Sequence, residues 1–243
     1  ALLANYSTHY AGAPPLSADY FGVFARRIAE KIDAPDGFVA MMSNGTSGDA
    51  NCCDFNRPRR EFDRFTVGED TAEAALRAYR RIECRDWVPI VMKERRLTLG
   101  VRMPTGDEVT EAKAYIDAHC KGRKPKTLAE VYAWETVHLS RMPPTRELRL
   151  QVLRVGDLGI AAIPCEVYGS TGLRLKKQSP LAPTFVISLA NGCEGYIPPP
   201  DQHELGGYTT WRARSSCLEV QAEPKIVDGL LEMLGEVAPA PAE

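Results

Sequence analysis

Apolar runs too short to be helices, alternating with longer stretches of helical period, constrain this chain more than any other feature. Leu2 to His9 reads as a buried strand, and Phe38 to Met42 as a second, short and apolar. "RRLTLGVRM" from Arg95 alternates like a strand, and "TFVISLA" from Thr184 forms another buried one. "RELRLQVLRVGD" and "GIAAIP" predict a hairpin turning at Gly156-Asp157. Between these lie helices. "LSADYFGVFARRIAEKI" begins with Ser17 as N-cap and sets Tyr20, Phe24, Ile28 and Ile32 on one face. An irregular, arginine-rich stretch from Asp54 to Phe65 leads into a helix at "TAEAALRAYRRIE". Two helices follow the strand at Arg95, the second opening with a capping box, Thr127 and Glu130. "CEVYGSTGLRLKKQ" and "PKIVDGLLEMLGEV" are the last two helices. This alternation, with one hairpin, predicts an α/β fold with a mixed β-sheet and flanking helices.

The bulk numbers exclude several functions. A formal net charge of −2 with interspersed signs gives no basic field for nucleic acid. No apolar run approaches the roughly 20 residues of a transmembrane segment. The seven cysteines lack a C-x-x-C pair and are odd in number, so they predict no disulfide framework, and most are expected to be small buried hydrophobes. The opening "ALLANY" reads as a strand already under way, which predicts an interior cut, and "VAPAPAE" reads as a Pro/Ala tail.

Ligands gather where strands of open α/β sheets end. Here the strand exits deliver His9, then Asn44 to Asp49, then Glu166, then Asn191 and Tyr196. Each has an ordinary explanation when taken singly: Glu166 suits the first turn of a helix, and Asn44 to Asp49 a hydrogen-bonded turn. The stretch "SNGTSGDANCC", Ser43 to Cys53, is less ordinary, because it sets two glycines among amides, hydroxyls and a carboxylate directly after an apolar run.

Several segments recur together and in order in one known family. "STHYAG" with "LSADYFG", "FVAMMSNGTSGDAN", "VGDLGIAAIPCEVYGSTGLRL", and "ISLANGCEGYIPP" through "GGY" resemble the neutral/alkaline, non-lysosomal ceramidases. These are zinc amidases that cleave the N-acyl bond of ceramide. The resemblance anchors residues 1 to 56 and 147 to 212, while 57 to 146 match by position alone. It implies that residues 1–237 form the C-terminal portion of a ceramidase-like catalytic domain, with 238–243 as a tail. It further implies Zn2+ as cofactor, with His9, Glu166 and Tyr196 as ligands, and a lipid-like N-acyl substrate. Tyr208, in "GGY", matches a tyrosine that hydrogen-bonds the scissile amide oxygen. Asn44 and Asp49 become substrate-binding candidates. A secreted or periplasmic location is implied as well.

Two departures from the family pattern stand out. The family's remaining histidines lie in an upstream His-x-His segment, a pattern absent among His9, His119, His138 and His203. An upstream segment of the same domain is therefore the expected partner, and without it these residues are expected to be inactive on N-acyl sphingosine. The family loop Gly-Asp-x-Ser-Pro-Asn reads Gly48-Asp49-Ala50-Asn51-Cys52-Cys53 here, so Asn51 stands where the family has a serine of importance for activity. An amide is no nucleophile, but Asn51 remains a catalytic candidate as a positioning group. Two alternatives stand beside the zinc amidase: a metal-independent hydrolase using Cys52 with His9, and a non-catalytic binding module.

Overall fold

A computed structural model describes residues 1–12, 14–58 and 60–240. The larger layer is a four-stranded sheet in the order β3 (Ile90–Gly100), β4 (Thr145–Val155), β5 (Leu158–Ile163), β7 (Thr184–Ser188). The first three strands are antiparallel and β7 runs parallel to β5, so the sheet is mixed, as the alternation of elements predicts. The β4–β5 hairpin turns at Gly156-Asp157, with Val155 opposite Leu158 and Gly156 at φ +62°. Only glycine enters that region without strain.

One face of this sheet carries the main core. Leu148, Leu150 and Val152 of β4, Ala161 and Ile163 of β5, and Val186 of β7 pack against Ile226, Leu230, Met233 and Leu234 of helix α7 (Ala222–Val237). Leu175 of α5 (Gly169–Gln178) closes one end.

A second, smaller unit pairs β1 (Leu2–Tyr6) in parallel with β2 (Ala40–Asn44). Helices α1 (Asp19–Lys31) and α2 (Arg64–Tyr79) cover one face of it. Phe24, Ile28 and Ala72 form its buried centre, with Leu2, Ala4, Ala40 and Met42 packed around them. The Asn5 amide donates to the Val186 carbonyl at 3.0 Å and lays β1 beside the edge of β7. Helices α3 (Gly106–His119) and α4 (Leu128–Leu139) form a hairpin between β3 and β4, and both open with a capping box. The box at Thr127 and Glu130 is as read from the sequence; the one at Thr105 and Glu108 escaped that reading.

Several boundaries differ from expectation. β1 stops at Tyr6, so His9 lies beyond it, and β2 starts only at Ala40; both strands are half-exposed, Leu3 and Met41 each showing about half their surface. α1 begins at Asp19 rather than Ser17. The Ser17 hydroxyl accepts from the Asp19 amide, but Asp19 at φ +47° turns the chain between them. α2 begins at Arg64, seven residues early, because Asp63 caps it by accepting from the Thr66 amide at 2.8 Å. β3 runs Ile90–Gly100, earlier and longer than the alternation suggests. Residues 166–167 are a short strand, β6 (Glu166–Val167), paired in parallel with β8 (Tyr196–Ile197), and the helix starts only at Gly169. Of the seven cysteines only Cys120, Cys165 and Cys217 are buried, and none is bonded to another. Beyond α6 (Pro200–Leu205) and α7, the chain is described to Ala240, so the last three residues of the tail lie outside the described residues.

Candidate functional site

The β6–β8 pair lies at a junction of several segments. Its register sets Glu166 directly beside Tyr196, so both side chains leave the same face. Hydrogen bonds from Glu166 N–H to the Gly195 carbonyl (2.9 Å) and from Tyr196 N–H to the Ser215 carbonyl (2.8 Å) fix the two backbones. A Cβ on Gly195 would stand 2.2 Å from the Ser215 oxygen, so only glycine permits this approach.

His9 comes to the same place from the smaller unit. Its amide donates to the Ala50 carbonyl at 2.8 Å, which holds the chain past β1 against the loop after β2. His9 Nε2 lies 3.4 Å from the Tyr196 hydroxyl and 3.9 Å from Glu166 Oε2. Its Nδ1 is buried without a partner among the described residues. Tyr208 meets Tyr196 edge-on, with ring centroids 5.7 Å apart at 90°, and is more than half exposed. Burial first, then the Glu166 carboxylate and the Tyr208 hydroxyl, hold the Tyr196 phenol well above its ordinary pKa. It is protonated at neutral pH.

The loop Gly45 to Ala50 flanks this junction. Gly48 donates to the Val167 carbonyl at 2.7 Å, and a Cβ there would meet the Glu166 and Val167 carbonyl groups at 3.0 to 3.1 Å. A Cβ on Gly45 would lie 2.2 Å from the Ser7 hydroxyl. The glycines thus let the loop wedge between the chain that carries His9 and the strand that carries Glu166. Asp49 is exposed, and its Oδ1 accepts from the Gly169 amide at 2.7 Å, at the start of α5. Asn44 donates to the Ser47 hydroxyl at 3.0 Å, leaving its Oδ1 buried and unpartnered.

The structure therefore brings His9, Glu166, Tyr196 and Tyr208 together, with Asn44 and Asp49 on the adjoining loop. Asn51 goes elsewhere. It is exposed and lines a cavity of about 470 Å3 with Tyr6, Cys52, Cys53 and Arg60, a lining that includes none of the four converging side chains. The Cys52 thiol faces the Thr8 hydroxyl (3.5 Å) and the His9 carbonyl (3.8 Å), whereas the His9 ring points to Glu166 and Tyr196. Asn191 is exposed and donates to Gln151. Sequence reasoning missed Arg102, which donates to three backbone carbonyls of the segment carrying Tyr208. Its signal, one arginine at a strand end, is indistinguishable from a solvated side chain.

Among the described residues no group of three or more His, Cys, Asp or Glu side chains is arranged to hold a metal, so any cation here would need the phenol as well. No helix among them is long and apolar enough to cross a membrane.

No family model and no curated protein matches the chain. Solved structures do. A neutral ceramidase from Pseudomonas aeruginosa superposes over 99% of the chain with a TM-score of 0.60 and 14% identity. A ceramidase complexed with C2 superposes over 99% with a TM-score of 0.66 and 12% identity. The chain spans less than half of either, 45% and 46% of their lengths. At such identities the likeness concerns the fold, and along nearly its whole length this chain has the fold of part of a ceramidase.

Proposed function

We propose that the junction of His9, Glu166 and Tyr196 is a zinc site of an amidohydrolase acting on an N-acyl lipid of the ceramide class. The observation that carries this reading is the convergence of one imidazole, one carboxylate and one phenol from three separate segments. Zinc bonds of about 2.0–2.2 Å set tetrahedral neighbours about 3.3–3.6 Å apart, close to the 3.4 and 3.9 Å separations around His9 Nε2. The donor set also suits a borderline ion that takes nitrogen and oxygen together. Bound zinc supplies Lewis-acid polarisation of the amide carbonyl and an acidic hydrolytic water.

The protein's own groups would do the rest. His9 and Glu166 would hold the cation, and the second carboxylate oxygen of Glu166 would take the proton of the attacking water and return it to the leaving amine. Tyr208, exposed and edge-on to Tyr196, donates its hydroxyl to the amide oxygen as charge builds there. Asp49 and Asn44 keep the loop in place beside the substrate. The N-acyl lipid assignment draws on the ceramidase fold and on the sequence motifs.

Calorimetric titration with zinc tests the site. The 243-residue chain is expected to bind one zinc weakly, because one of its three donors is a phenol, a poorer ligand than a second imidazole. His9→Ala and Glu166→Gln should each abolish the binding. Failure of the native chain to take up zinc would overturn the reading. A second reading, a binding module that does no chemistry, draws support from Asn51, which faces a separate cavity. It requires that N-acyl sphingosine bind without release of fatty acid even when zinc is present.

A further inference from the structure

The two tyrosines of the junction owe their places to a segment that has little regular structure, residues 207 to 218. One side chain reaches across to most of it. Arg102, two residues past β3, donates from Nη1 to the Thr210 carbonyl at 2.9 Å and from Nε to the Leu218 carbonyl at 3.0 Å. From Nη2 it donates to the Ser216 carbonyl at 2.6 Å and to the Ser216 hydroxyl at 3.1 Å. Its own amide donates to the Cys217 carbonyl at 2.7 Å. Among the described residues it has no carboxylate partner, and every side-chain hydrogen bond it makes goes to this segment.

Two of these acceptors, Thr210 and Ser216, lead to a tyrosine. Thr210 bonds back to the Gly207 carbonyl through its amide (2.9 Å) and its hydroxyl (2.8 Å), closing a tight turn with Tyr208 inside it. Ser216 bridges to Gly195, and its neighbour Ser215 accepts the Tyr196 amide. A guanidinium fits this task because its planar fork addresses several carbonyls at once, and a lysine ammonium offers one nitrogen.

We propose that Arg102 is a positioning residue that holds Tyr196 and Tyr208 in register with His9 and Glu166 by clamping residues 207 to 218. For its consequence on metal binding the inference rests on the zinc reading above; the clamp itself does not. The test uses the full chain, Arg102→Gln, and Arg102→Lys as a gentler variant that keeps the charge and the stem. Hydrogen exchange reads the clamp: the amide of Tyr196 and those of residues 208 to 216 should exchange about tenfold faster or more in both variants, with β4 and α7 unchanged. Copper(II), used as a spectroscopic substitute for zinc, reads the site. Phenolate bound to copper(II) gives a visible charge-transfer band, which Tyr196→Phe should remove and Arg102→Gln should weaken strongly. Zinc affinity should fall about tenfold to a hundredfold, the range for groups that orient metal ligands. Unchanged exchange in a folded Arg102→Lys protein would overturn the clamp whatever the metal does. An intact band and intact zinc affinity in either variant, with faster exchange, would overturn its role at the site. Absence of any band or zinc uptake in the native chain would overturn the zinc reading, and the clamp would then be judged on exchange alone.

Discussion

Gly48 shows how a single residue can join two parts of a protein. Its missing side chain lets the loop after β2 touch the backbone of β6, and the close contacts around it are with peptide groups that cannot swing aside. Gly48→Ala should therefore destabilise the chain by about 1–3 kcal/mol, the usual cost of overpacking a rigid site. Urea unfolding would measure it, and zinc affinity should fall in parallel because Glu166 supplies the crowded carbonyl. The tyrosines divide differently. Tyr196→Phe should weaken zinc binding, whereas Tyr208→Phe should leave it intact and, in a protein extended by the upstream segment, cut amide hydrolysis by about 10²–10³, the effect of losing one oxyanion donor. Paired metal titrations and rate measurements on the two variants separate these roles. The convergence of His9, Glu166 and Tyr196 was legible in the sequence because each lies in a segment that the family resemblance groups together, whereas strand ends alone left each with an ordinary explanation. Arg102 was not, since its partners lie 108 to 116 residues further on and no local pattern encodes them. Asn51 was legible as a departure from a motif, but its direction was not: the turn at Gly48 to Ala50 decides which cavity it faces.

At the scale of elements, local chemistry wrote what was readable. The capping box of α4 is one case: Thr127 accepts from the Glu130 amide, and the Glu130 carboxylate returns to the Thr127 and Lys126 amides. Glu130 is buried, and the Arg123 guanidinium, followed by those amides, holds its pKa down at about 2. An unfolded glutamate titrates near 4.3. The folded value is the lower one, so the ionised carboxylate contributes stability that is fully present above about pH 5 and is lost as pH falls toward 2. Urea midpoints for the native chain and Glu130→Gln should therefore differ most near neutrality and converge as the pH drops through that window. A constant difference across it would show that the charge is not what matters. The short pair β6–β8 illustrates the opposite case. Two residues each carry too little pattern to distinguish a strand from the first turn of the helix behind them, and only the distant partner settles it.

The whole molecule has two cores of unequal size, and the candidate site lies where they meet. The large core joins β4, β5 and β7 to α7 and α5, whereas the small one rests on Phe24, Ile28 and Ala72 between two helices and two half-exposed strands. His9 belongs to the small unit; Glu166, Tyr196 and Tyr208 belong to the large one. Burial sets a hierarchy of local stability, so the small unit should open first and carry His9 away from its partners. Phe24→Ala sharpens the prediction. Phe24 is fully buried, and its truncation should cost about 3–5 kcal/mol, all of it within the small unit. Exchange should then accelerate across α1, α2, β1 and β2 while β4, β5 and α7 keep native protection. Zinc affinity should fall although no donor has been touched, and saturating zinc should restore part of the lost protection, since an ion held from both sides binds only the docked form. Uniform acceleration throughout the chain would mean that the two cores unfold as one, and His9 would then be anchored far more firmly than the size of its own core suggests.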